Sequence, residues 1–429
     1  VARSVTRAWW ARRLTPADLP ASFHQLWLGK TSSSLSDFVL ASALPILAAI
    51  TTESPTLVAA VTTALTLPWL LFGLTAGALV DRFDRRHALI GAGLLRTTVL
   101  SLAAILAAAD ALPDAALLIA AVVTGIGLVI TETATVSLTP QVVASHQLER
   151  ANARLITAEL IVETAAALVA GTLASAGGLA VFSTGALCGV AGLLSLRRLL
   201  RMPMPQASVP PDPATKGGML DGLRLLWSIP VLRAIALMGA VINTAWTAFA
   251  ATFVLYAIAP GPVGLSPQLY SVLLTASIGG GILGGVFAAR LLKRVGNRWG
   301  IGLNIIANVI TFGAPALTAS PWLIGVFFFI GDSGSPLWRV ATATLQQRAV
   351  PEALRGRVAA AYRVISYGAA TAGPAIGVAI AGQIGQRGLF AVAALASLAM
   401  FIPFQRVITT QAMAAIEQRA QPNESAAVE

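Results

Sequence analysis

Long apolar stretches separated by short polar connectors make up most of this chain. They occupy roughly residues 23–49, 56–80, 87–109, 113–138, 153–176, 178–196, 231–258, 268–292, 300–319, 321–344, 358–383 and 387–405. A helix that crosses a bilayer needs about 20 predominantly apolar residues. The pattern therefore predicts twelve membrane spans, numbered here in chain order. It breaks for longer only once, at RRLLRMPMPQASVPPDPATKGG from Arg197 onward. That proline- and small-residue-rich stretch predicts a flexible tether between two groups of six spans. The expected organisation is a cytoplasmic tail over 1–22, a six-helix bundle over 23–200, a linker over 201–229, a second bundle over 230–406 and a tail over 407–429. The segment after Arg406 is polar, ends in QPNESAAVE and predicts a disordered tail.

Charge gives these spans a direction. Only 11% of the 429 residues are charged and 56% are hydrophobic, with a mean hydropathy of +0.77; a soluble domain carries about 25% charged residues. The cations fall in alternate connectors: Arg82, Arg85 and Arg86; Arg150 and Arg154; Arg197 to Arg224; Arg290 to Arg298; Arg348, Arg355 and Arg357. The intervening connectors contain no Lys or Arg except Arg387. The positive-inside rule then puts both termini in the cytoplasm and the protein in the cytoplasmic (inner) membrane. The net charge of +11 belongs to these connectors, so it does not indicate a nucleic-acid partner. One cysteine, Cys188, excludes a disulfide framework, and His24, His87 and His146 have no metal-ligand spacing. No GxxxxGK[ST] phosphate loop and no catalytic constellation is present, so neither ATP-driven work nor enzymatic catalysis is expected, and no cofactor.

The densest motif lies between spans two and three. Gly73 to His87 reads GLTAGALVDRFDRRH. Gly73 and Gly77 allow close helix packing, and Asp81, Arg82, Arg85 and Arg86 follow at the helix end. This pattern resembles the loop between helices two and three of the major facilitator superfamily. In that family the charges form a network that holds one access state closed. Gly281-x-x-x-Gly285 followed by Arg290, Lys293 and Arg294 echoes it in the second half, with Ala289 in the place of Asp81. The resemblance implies an all-α membrane fold of twelve helices, with two six-helix bundles related by a pseudo-twofold axis.

Four further segments resemble one branch, that of the enterobactin exporter and related bacterial secretion and drug-efflux proteins: LWLGKTSSSLSDF from Leu26, LERANARL from Leu148, LDGLRLLWSIPVLR from Leu220 and VPEALRGRV from Val350. Two features of drug–proton antiporters are missing. Span five reads ETAAALVAGTLA without a Gly-Pro pair, which stands instead at Gly373-Pro374, and span four, TGIGLVITETA, lacks an arginine motif.

Charges inside the spans carry the candidate chemistry, because an ionisable group in a membrane must be paired, hydrated or functional. Asp37 falls in span one, Glu132 in span four, Glu159 and Glu163 one turn apart in span five, and Asp332 in span ten with Arg339 two turns on. Lys30 stands near the start of span one, Arg96 in span three and Arg363 in span eleven. The resemblance implies that spans one, four, seven and ten line a central cavity. Asp37, Glu132, Asp332 and Arg339 are then the expected proton-coupling and cavity residues. Asn243, Trp246, Phe249 and Trp338 are candidates to line it, with ordinary packing an equal alternative for the tryptophans. A carboxylate in such a cavity can load and release a proton near neutral pH. Arg96, Glu159, Glu163 and Arg363 are secondary buried charges, and Glu159 and Glu163 can instead brace the fold by pairing with Arg96 or Arg154. Asp37 and Asp332 have the fewest nearby partners in sequence. The resemblance implies a monomeric exporter of small amphipathic molecules (drugs, secondary metabolites or siderophores) that exchanges them for protons by alternating access. A uniporter or importer on the same fold, or a membrane sensor without transport, are the alternatives.

Overall fold

The computed structural model describes residues 19–52, 54–72, 85–144, 147–200 and 219–420. Its described residues are all-helical apart from one isolated bridge, Ile258 to Leu265. The first half comprises α1 (Ala21–Thr52), α2 (Pro55–Phe72), α3 (Arg85–Ala108), α4 (Asp114–Val142), α5 (Leu148–Ser175) and α6 (Gly178–Leu200). Each matches a predicted span, displaced by a few residues at the ends, while residues 73–80 of span two lie outside the described residues. The second half begins with a short α7 (Met219–Ser228), followed by α8 (Pro230–Ala257) and α9 (Pro267–Leu317). It continues with α10 (Pro321–Asp332), α11 (Ser335–Ala349), α12 (Glu352–Gly368), a 3₁₀ turn (Ala369–Ala372), α13 (Gly373–Ala399), α14 (Phe401–Arg406) and α15 (Thr410–Ala420).

Two predicted loops contract to single residues. Spans eight and nine form the 51-residue α9, broken only at Gly296, where φ is 79° and ψ 162°. Both ends of α9 reach the same turn of α8: the Tyr270 ring is 6.0 Å from that of Phe253, and the Tyr256 hydroxyl donates to Pro315 O at 3.1 Å. The element therefore folds back at Gly296. Spans eleven and twelve meet in the same way at Gly385, with φ 77° and ψ 165°. Only glycine adopts this conformation without a Cβ clash.

Span ten, by contrast, is not one helix. It ends at Asp332 and restarts at Ser335, with Pro336 in the first turn of α11. Proline has no N–H to continue the ladder of α10, so the break falls at the carboxylate and not beside it. The flexible linker also ends earlier than expected: α7 covers 219–228, and its Asp221 lies 3.6 Å from Arg224 and 3.9 Å from Arg357. The tail expected to be disordered holds α15, whose Met413 and Ile416 are buried against the second half. Amphipathic spacing of these apolar residues gives α15 a face to bury, which outweighs the polar composition of the segment.

Apolar packing differs at the two ends of the bundle. One cluster joins both halves, with Leu44 and Leu47 of α1, Val61 of α2 and Phe182 of α6 beside Phe253 of α8, Phe328 of α10 and Phe390 of α13. The other two clusters belong to one half each: Phe23, Leu89, Leu138 and Leu199 in the first, and Leu226, Leu345, Phe404 and Ile416 in the second. These separate clusters contain the residues nearest the described chain ends. The halves are thus packed together away from the termini and packed separately on the side of the termini. In lipid, such contacts hold through close fit and not through exclusion of water.

Candidate functional site: a charged cavity between the halves

Two chambers lie where the halves diverge. The larger, about 490 Å³, is lined by Asp37, Trp69, Glu132, Glu159, Glu163, Arg339, Arg363 and Tyr367. The smaller, about 310 Å³, includes Asn243, Trp246, Asn308, Asp332, Trp338 and Arg339. Glu163, Arg339 and Tyr367 line both, so the chambers adjoin across the boundary between halves. Spans one, four, seven and ten contribute, as expected, but spans two, five, nine and eleven also supply walls.

Two buried ion networks organise the first half. Lys30 Nζ donates to Glu132 Oε1 at 2.6 Å and to Glu159 Oε2 at 2.5 Å. Lys30 is only 6% exposed, while the two glutamates, on α4 and α5, are 34% and 32% exposed toward the cavity. One cation thus ties three helices together. Arg96 Nη1 of α3 donates to Asp37 Oδ1 of α1 at 2.6 Å, and this pair is 1% and 2% exposed. Gly127 of α4 lies against it: a Cβ there would be 3.5 Å from Arg96 Nη1. These contacts correct two sequence expectations. Asp37 is buried and paired with a cation, and Arg96 bonds Asp37 and not Glu159 or Glu163. Lys30, which the sequence placed only near the start of a span, is the hub. A signal for it was available: Lys30 and Asp37 stand seven residues, or about two helical turns, apart and so share a face.

The remaining candidates divide into groups. Asp332 accepts a hydrogen bond from the Ser277 hydroxyl and has no cation within ion-pair distance among the described residues. Glu163 stands on the first-half wall; Arg339 and Arg363 stand on the second-half wall. None of these three makes an ion pair within 4.0 Å among the described residues. Trp246 Nε1 donates to Asn308 Oδ1 at 3.2 Å, and Trp338 Nε1 donates to the Tyr362 hydroxyl at 3.3 Å, so both indoles are held at the cavity wall. Asn243 Nδ2 donates to Gly239 O at 2.8 Å, and the residue lines the smaller chamber. Phe249 departs from the expectation. It is 2% exposed and stacked in an aromatic core, 4.9 Å from Phe253 and 5.0 Å from Phe390. One helical residue faces one way, and this one faces the packing between spans. Gly73, Gly77, Asp81 and Arg82 lie outside the described residues; Arg85 and Arg86 open α3.

A family described as transmembrane secretion effector matches residues 14–428. The chain belongs to this family of major facilitator transporters. Members of it are transporters and not enzymes. The chain is 27% identical over 350 residues to the multidrug efflux pump Tap of Mycolicibacterium fortuitum, covering 79% of this chain and 83% of that protein. Its fold is similar to that of a bacterial homologue of the iron transporter ferroportin. In the inward-facing state the TM-score is 0.71 at 19% identity, covering 89% of this chain and 97% of that one. In the outward-facing state the TM-score is 0.61 at 17% identity, covering 89% and 98%.

Proposed function

We propose that this transmembrane secretion effector exports small amphipathic molecules across the cytoplasmic membrane in exchange for protons. The bundles over 23–200 and 230–406 rock about the cavity, with both termini in the cytoplasm. The charge balance of the cavity carries this reading. Asp37, Glu132, Glu159, Glu163 and Asp332 line the chambers with Arg339 and Arg363, and Lys30 and Arg96 pair with three of these acids from the wall, five acids against four cations. Three of the acids are held by Lys30 or Arg96. Asp332 and Glu163 are not, so they are the groups free to exchange a proton for a cargo contact.

The packing supports the access state. The halves share their apolar cluster away from the termini and separate beside them, so the cavity opens toward the termini. With the cationic connectors in the cytoplasm, this is the inward-open state, ready to load cargo. The higher similarity to the inward-facing ferroportin homologue supports the same reading. Efflux as the direction draws on the likeness to Tap.

The test is a proteoliposome assay with an imposed pH gradient and a panel of drugs and iron-free siderophores. Wild type is expected to move at least one compound in a gradient-dependent manner, and Asp332→Asn to lose that dependence while retaining binding. Movement indifferent to the gradient in both proteins would replace antiport with facilitated diffusion.

A further inference from the structure

The outer surface of the second half carries an apolar groove separate from the charged chambers. It lies between α8 and the α13–α14 segment, has a volume of about 380 Å³, and is lined by Leu237, Met238, Ala396, Met400 and Pro403. At Val241 and Ala396 it continues into a second apolar groove of about 290 Å³ farther along α8. The first groove runs from Pro230 to Val241 on α8, about 16 Å at 1.5 Å per residue. That is half of a hydrocarbon core of about 30 Å, the depth of one leaflet.

Its one charged lining residue is Arg233, in the first turn of α8. The guanidinium sits 6.0 Å from the centroid of the Trp227 ring and donates to Trp227 O at 3.4 Å. No carboxylate lies within 4.0 Å of it among the described residues. Trp227, the last residue but one of α7, is 47% exposed, while Leu226 beside it is buried in the core of the second half. A short helix with one buried face, an outward Trp and an adjacent Arg has the make-up of an interfacial element. Arg406, exposed between the groove-lining Pro403 and Val407, adds a second cation at the same end.

We propose that this groove binds one anionic phospholipid, with its phosphate on Arg233 and one acyl chain along α8 and α13. Charge selects the head group. A zwitterionic lipid neutralises its own phosphate, whereas an anionic one retains the net charge that Arg233 and Arg406 attract. One such cation near the surface corresponds to about a fivefold preference, the equivalent of ~1 kcal/mol. The site is separate from the cavity, so it stands or fails independently of the antiport reading.

Native mass spectrometry of the full chain in detergent, titrated with phosphatidylglycerol and phosphatidylcholine of matched chains, tests it. Wild type is expected to bind phosphatidylglycerol more tightly by more than about fivefold. Arg233→Gln should lower that preference about fivefold, leaving the share of Arg406, and Lys293→Gln, an exposed cation beside the Gly296 turn, should retain it in full. Val241→Trp, which fills the groove where its two parts meet, should weaken both lipids. Equal affinity of wild type for the two lipids would overturn the proposal, as would equal losses in the two charge variants. Displacement of phosphatidylglycerol by a transported drug would reassign the groove to cargo entry.

Discussion

Gly171 offers a direct way to move the access equilibrium. It lies on α5, against the N-terminal turn of α9, where the halves meet away from the termini. A Cβ there would penetrate the carbonyl group of Pro267 and come within 2.7 Å of Ser271 Oγ. The Gly171 N–H donates to that same hydroxyl at 2.7 Å. A backbone carbonyl cannot rotate away as a side chain can, so Gly171→Ala is relieved only by parting α5 from α9. Overpacking of this kind costs about 1–3 kcal/mol, and loss of the hydrogen bond about 1 kcal/mol. The gain in helix propensity from Gly to Ala, about 0.8–1 kcal/mol, is present in both access states and cancels. Taking ~2 kcal/mol as the bias, the equilibrium shifts about 30-fold toward the state open on the side away from the termini. The readout is a single cysteine at cavity-lining Ser335 in a Cys188→Ser background. In vesicles of known orientation, a membrane-impermeant maleimide is applied from each side. Gly171→Ala is expected to raise labelling from the side away from the termini and lower it from the other. Gly91→Ala, whose Cβ would meet nothing within 4 Å, controls for propensity alone. An unchanged ratio of the two labelling rates in folded Gly171→Ala protein would refute the placement of the closed gate at this contact.

Two further expectations follow from the burial of individual groups. Asp37→Asn leaves the Arg96 guanidinium, 1% exposed, without its counter-charge; breaking such a pair costs about 3–5 kcal/mol. Thermal unfolding should show the loss, and Asp37→Asn/Arg96→Gln should recover most of it; a single variant as stable as wild type would show that the pair does not brace the fold. Phe249→Ala empties a site ringed by Phe253, Phe312, Phe328 and Phe390, and should cost about 3 kcal/mol without changing which compounds are carried. A changed cargo profile at unchanged stability would return Phe249 to the cavity.

The span pattern was legible because lipid imposes it. A backbone without water must be helical, and the length of each apolar run is set by bilayer thickness. The same physics exposed the buried charges, since each stands out in an apolar run. What sequence order could not reveal was pairing. Asp37 meets Arg96 fifty-nine positions away, and Lys30 meets Glu132 and Glu159 more than a hundred away. Reading only its neighbours in the chain makes Asp37 look isolated, although it is held on a helix face that packing turns toward α3. Asp332 looks mid-helical until the proline-initiated α11 breaks the span at it. Phe249 shows the same limit on the apolar side, because periodicity does not say whether a face meets cavity or core.

By itself, then, the sequence determined the twelve spans, the two halves, the charge asymmetry and the set of ionisable groups. Each of these depends on local composition measured against bilayer thickness. Tertiary structure alone decided which acids are neutralised, which remain free, where the halves touch and where they part. Those outcomes depend on distances across helices, and a chain of apolar runs leaves them open until the helices pack.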